Sequence, residues 1–259
     1  MVHANYVNAY TFPGGSMAAT RGILLEMDNE DELAALLGHE LGHVNARHSA
    51  QRAGQSMVAS AVVTAATIAV AASDRRASAY APLVEAVGSV GSSALLASYS
   101  RDNEREADAL GMAYMTRAGY NPNGMVGLME MLNEQHREKP GLLDTMFSSH
   151  PMSDERLATA RAAAEGSYKG ATGKPVQRER YMDETARLRA QQPAIESFQQ
   201  GQRLMAGKKL PDAEQAFAAG LAKAPEDYAG LCMMAKCQLA QRKHGPARDY
   251  LARARAIYP

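Results

Sequence analysis

Apolar residues recur at helical spacing along most of the chain. Leu33, Leu36, Leu37, Leu41 and Val44 lie three or four apart, and Asn29 followed by Glu32 reads as a capping box. This predicts a helix over roughly residues 30–53. A second helical region is expected at about 57–72 and a third at about 83–118, with Gly119 as its C-terminal stop. Asn121-Pro122 restarts a helix with proline in its first turn, running to about Lys139, and Ser153 opens another through about Glu165. Ahead of these, "NAYTFPGGSMAATRG" is interrupted at Pro13-Gly14-Gly15, which predicts a hairpin at the edge of a small sheet.

"EGSYKGATGKP", residues 165–175, has no periodicity and marks a boundary. Beyond it the chain repeats with a 34-residue shift: Gly201 aligns with Ala235, Ala213 with Ala247, Phe217 with Leu251, Gly220 with Ala254 and Pro225 with Pro259. Small residues let paired helices approach, the aromatic or leucine fills the groove, and proline ends each unit. Period and pattern are those of tetratricopeptide repeats, although the Trp and Tyr positions of that pattern are missing. Two repeats are too few to stand alone, so they should pack on the first domain. The expected organisation is residues 1–165, a linker with connecting helix at 166–192, and two repeats at 193–259.

Composition narrows the function classes. With 28 basic and 28 acidic residues the formal net charge is +0, so no charge excess points to nucleic acid. Cys232 and Cys237 fall on different faces of a helix, which implies free thiols. The N-terminus shows no charged segment followed by an apolar core, so no signal peptide is visible, and a removed leader is expected. Met57–Ala72 is a 16-residue apolar run, short for a bilayer span. It reads as a buried or partly exposed helix, with peripheral membrane contact as the alternative.

The chemistry concentrates in "LLGHELGHVNARH", residues 36–48. On a helix, His39 and His43 sit about 40° apart and about 6 Å along the axis, so both imidazoles can converge on one ion. Glu40, about 100° further round, can reach water at that ion. This is the HExxH arrangement of zinc peptidases. His48 lies about 180° from His39 on a continuous helix, so it is expected at the surface or supporting the site from outside. In "SYSRDNEREADALG", residues 98–111, Glu104 and Asp108 share a face. Glu104 can complete a two-histidine, one-glutamate site, and Asp108 can accept the free N–H of a ligating histidine. Glu106 points the opposite way and is expected to be merely solvated.

"HELGHV…RH", "SRxxExxAD" and "SHP…R" together resemble metallopeptidase family 48, the HtpX and CaaX-prenyl-protease relatives, and most of all its soluble periplasmic, BepA-like members with a C-terminal tetratricopeptide domain. The resemblance implies a mainly α fold: a gluzincin-type zinc peptidase domain with a small N-terminal β-hairpin, followed by an α-helical tetratricopeptide-repeat domain. It implies one zinc ion per chain with Glu104 as third ligand and Asp108 as its supporting carboxylate. Ser16, Met17, Ala18 and Ala19 would form the edge strand that pairs with extended substrate. His150, before Pro151, would either donate to the oxyanion or take the fourth zinc position and hold the enzyme off, and Arg156 would be a second oxyanion donor.

The expected function is a zinc-dependent endopeptidase, with Glu40 as general base, that cleaves unfolded or misassembled polypeptides. By resemblance it works in periplasmic quality control of outer-membrane proteins, with the repeats recruiting substrate or the outer-membrane assembly machinery. The rival is a chaperone-like scaffold acting through its repeats, with a plugged or structural zinc. An intact Glu40 favours the enzyme, because structural zinc has no use for a general base.

Overall fold

The computed structural model describes residues 1–12, 14–52, 99–138 and 144–258, together with positions 54, 57, 58 and 61. Two short strands, β1 (Ala9–Thr11) and β2 (Met17–Ala19), pair antiparallel with Ala9 opposite Ala19 and Thr11 opposite Met17. Gly14 and Gly15 turn the chain with φ of 93° and 88°, a region open mainly to glycine. Thr20 caps α1 (Arg21–Glu26), and α2 (Glu30–Asn45) follows. Asn29 accepts from the Glu32 N–H at 3.0 Å, while Glu32 Oε2 accepts from the Asp28 N–H at 2.7 Å, so the predicted cap forms with the return bond one residue earlier.

The expected helix over 30–53 is broken. Ala46 caps α2, Arg47 takes a left-handed φ of 55°, and residues 48–52 are helical again on a new heading. A non-glycine residue in that region costs on the order of 1–3 kcal/mol. The expected helix over 83–118 is interrupted at residues 99 and 100, and its part at 83–98 lies outside the described residues. Ser100 caps α3 (Arg101–Arg117) in a capping box with Asn103, and residues 99 and 100 are not helical. Gly119 closes α3 with φ 98°. α4 (Asn123–Glu138), the short α5 (Asp144–Ser149) and α6 (Asp154–Glu165) complete the first unit.

α2 and α3 pack closely because their contact is made of small residues. A Cβ on Gly38 would come 2.9 Å from the Gly111 carbonyl oxygen, and one on Gly42 would come 2.8 Å from that of Ala107. This backbone approach lets the side chains of His39, His43 and Glu104 converge and sets Asp108 behind His39. Leu36, Met112, Met125, Leu128, Met129, Leu132 and Met146 form the apolar core around them.

Residues 166–177 lie against the first unit: the Asn121 amide donates to the Thr172 and Lys174 carbonyls, and Asp31 accepts from the Gln177 N–H. α7 (Arg178–Arg189) packs on α1. Then α8 (Gln192–Ala206) packs on α9 (Leu210–Lys223), and α10 (Tyr228–Ala240) on α11 (His244–Ile257). Phe217 fills the space over Gly201, and Phe198 that over Gly220 and Gly230. Ala213, Ala235, Ala247 and Ala254 are buried as aligned, but Leu251 is 45% exposed, because among the described residues no helix covers that face of α11. Both cysteines are free thiols, Cys237 buried.

The helical C-terminal part is docked on the first. Arg21, 1% exposed, pairs with Asp227 through Nη1 at 2.5 Å and Nη2 at 3.0 Å, and Gln199 donates to the Asn5 carbonyl at 2.7 Å. Among the described residues no helix is long and apolar enough to cross a membrane. The run 57–72 lies outside them except for positions 57, 58 and 61.

Candidate active site

His39, His43, Glu104 and His150 are buried and bring their donor atoms within 4.8 Å of one another. His39 Nε2 stands 3.0 Å from His43 Nε2, 3.4 Å from His150 Nδ1 and 3.6 Å from Glu104 Oε2. Glu104 Oε1 is 3.3 Å from His43 Nε2 and 3.1 Å from His150 Nδ1. Ligands at about 2.0–2.2 Å from a tetrahedral zinc are roughly 3.3–3.6 Å apart, and the 3.0–3.6 Å spacing of these three nitrogens and one carboxylate comes close to what such an ion requires.

The outer atoms of the site are held in turn. His39 Nδ1 is 2.9 Å from Asp108 Oδ1, which fixes Nε2 toward the donor cluster. Arg156 binds Asp108 at 2.7 and 2.8 Å, donates to the Pro151 carbonyl, and stands 2.6 Å from Glu104 Oε2 in an ion-pair contact outside hydrogen-bond alignment. Its guanidinium is thus engaged by these two carboxylates and the Pro151 carbonyl. Burial opposes charge on Glu104, but His150, His43 and His39 outweigh it and hold the carboxyl well below its usual range. Burial also opposes charge on Asp108, where His39 and Arg156 prevail and lower its pKa. For His43 burial wins, and its pKa is pushed down to about 4.

Glu40 is 1% exposed; its Oε1 accepts no hydrogen bond among the described residues and lies 3.7 Å from His150 Nε2. The Thr11 hydroxyl donates to its Oε2. This places β1, not β2, beside the site. Met17 of β2 instead faces Leu33, Leu37 and Leu41, on the side of α2 away from the histidines. The Ala19 carbonyl, on the outer edge of β2, accepts the Val2 N–H at 2.8 Å, so the strand proposed for substrate is partly taken by the chain itself. Phe12–Ser16 and Thr20–Asn8 bonds set the register, which turns the Thr11 backbone to the outer edge of β1.

Two further residues escape sequence reasoning. Tyr99 stacks on His43 with centroids 3.8 Å apart, and Arg52 lies 3.6 Å over the Tyr99 ring. The "SYS" preceding the glutamate motif carries no signal for this. His48 is fully buried, its Nδ1 3.0 Å from His43 Nδ1, and its Nε2 is 3.2 Å from Glu106 Oε2. The expectation that Glu106 is merely solvated therefore fails, because the break at Arg47 turns His48 toward it.

Two histidines one helical turn apart, an adjacent glutamate and a carboxylate from a second helix define a metallopeptidase of the HExxH class. The profile of peptidase family M48 matches residues 1–164, and the chain belongs to that family. The beta-barrel assembly-enhancing protease of Yersinia pestis is 32% identical over 167 residues, 63% of this chain and 34% of that protein. The metalloprotease YcaL of Escherichia coli (strain K12) is 36% identical over 157 residues, 60% of this chain and 57% of its own length. The mitochondrial metalloendopeptidase OMA1 of Schizosaccharomyces pombe is 33% identical over 150 residues, with 41% of its length covered. The chain thus spans from about a third to somewhat over half of these relatives.

Proposed function

We propose that this protein is a zinc-dependent endopeptidase that cleaves extended stretches of unfolded or misassembled polypeptide. The observation that carries this is the buried Glu40 Oε1, which accepts no hydrogen bond among the described residues, beside the His39, His43 and Glu104 cluster. A zinc ion held by those three residues would supply a Lewis acid that acidifies water and polarises a carbonyl. Glu40 takes the proton of the attacking water and returns it to the leaving nitrogen. Thr11 holds Glu40 in that orientation, and the outer edge of β1 offers its backbone to an extended substrate. Asp108 and Arg156 keep His39 and Glu104 aimed.

His150 Nδ1 occupies the fourth corner of the donor cluster, which favours a self-inhibited enzyme over a scaffold with structural metal. In that arrangement His150 must swing out before substrate enters, which frees it to donate to the oxyanion. Residues 193–259 would act as two tetratricopeptide-like repeats that recruit clients or assembly machinery, with 166–192 as the connection. Names of relatives that refer to beta-barrel assembly support a place in periplasmic quality control of outer-membrane proteins. The test is cleavage of an unfolded casein-like protein, its loss on chelation and its return with one equivalent of zinc.

A further inference from the structure

The His43 side of the cluster has its own outer support, built from residues the motif does not include. His43 directs Nε2 at His39 and Glu104, at 3.0 and 3.3 Å. With that nitrogen committed to a metal as a lone pair, the ring proton must sit on Nδ1. The group facing Nδ1 is His48 Nδ1 at 3.0 Å, which must then accept and carry no proton. The proton of His48 is consequently on Nε2, and its acceptor is Glu106 Oε2 at 3.2 Å. Glu106 at the outer end thus accepts the proton that this arrangement places on His48 Nε2 and holds both rings in these tautomers. The strained Arg47, at φ 55°, is what gives His48 its direction.

We infer that His48 and Glu106 form a positioning chain for the metal ligand His43, carboxylate to imidazole to imidazole, in parallel with the Asp108 support of His39. The inference rests on the metal-site reading above. His48 is buried and its replacement endangers folding, but the Glu106 side chain is 58% exposed and can be changed freely.

The experiment measures zinc affinity by chelator competition for the full chain, Glu106→Ala, Glu106→Gln and, as a control on the same helix, Asp102→Ala. Outer-partner losses typically weaken metal binding by about 10–100-fold. The expected order is Glu106→Ala weakest, Glu106→Gln intermediate because its amide oxygen still accepts, and Asp102→Ala equal to the unmodified protein. Imidazole 15N shifts of the zinc-loaded protein should show His43 protonated on Nδ1 and His48 on Nε2, with the His48 Nε2 signal moving in Glu106→Ala as its acceptor is lost. Unchanged affinity in Glu106→Ala, or an equal loss in Asp102→Ala, would overturn the chain while leaving the metal site standing. An unmodified protein that binds no zinc would instead remove the metal-site reading itself.

Discussion

His150 Nδ1 lies 3.1 Å from Glu104 Oε1, inside the same cluster that would hold the metal. In the proposed enzyme this residue, from the loop before α6, sits where water and substrate need to be. His150→Ala should raise the initial rate of casein cleavage. A tenfold rise would correspond to ~1.4 kcal/mol of preference for the closed arrangement. A fall of ~100-fold would make oxyanion donation its dominant role instead.

The approach of α2 to α3 sets the site's dimensions. Gly42→Ala puts a methyl 2.8 Å from the Ala107 carbonyl oxygen, so the helices must part. Overpacking of this kind costs about 1–3 kcal/mol. Urea denaturation should show that loss, and chelator competition should show weaker zinc binding, because His43 and Glu104 stand on opposite sides of the contact.

Docking of the helical C-terminal part depends on Arg21 and Asp227, both nearly fully buried. Removing one partner leaves the other charge uncompensated, at about 3–5 kcal/mol. Asp227→Ala should destabilise the whole chain by that order and also uncap α10, whose Gly230 N–H donates to Asp227 Oδ1 at 2.7 Å. Replacing both Arg21 and Asp227 with apolar residues should cost less than either single change. A double variant that is worse than both singles would contradict the ion-pair account.

Glu214 joins α9 to the start of α11. The hydrogen bond from Lys243, at 2.7 Å, together with Gln238 and Gln241, draws its pKa from 4.5 down to about 2. A folded-state pKa below the unfolded one means stabilisation that is complete above pH 4.5 and lost as pH falls toward about 2. The Glu214→Gln variant should therefore lose less stability across that window than the unmodified protein, measured by urea midpoints at successive pH values.

Much of the site is legible in the sequence because its signals are local. His39 with His43, and Glu104 with Asp108, are four apart, and each pair shares a helix face whatever the tertiary structure. Asn29 and Gly119 are equally local and bound their helices as read. The rest depends on backbone turns that pattern does not encode. A single left-handed residue, Arg47, moves His48 from the far side of the helix to the back of His43 and makes Glu106 its partner. Thr11 meets Glu40 from 29 residues away, across a hairpin whose strand closest to the site periodicity cannot identify. Likewise, the alignment of Leu251 with Phe217 says nothing of whether a further helix will cover it.

In the proposed reaction Glu40 performs proton transfer at a zinc held by His39, His43 and Glu104. The most direct measurement is zinc content and casein cleavage for the unmodified chain beside Glu40→Gln. The account predicts about one zinc per chain in both and cleavage lost by at least ~100-fold in the variant alone. Equal cleavage by the two proteins, or a chain that binds no zinc, would contradict it.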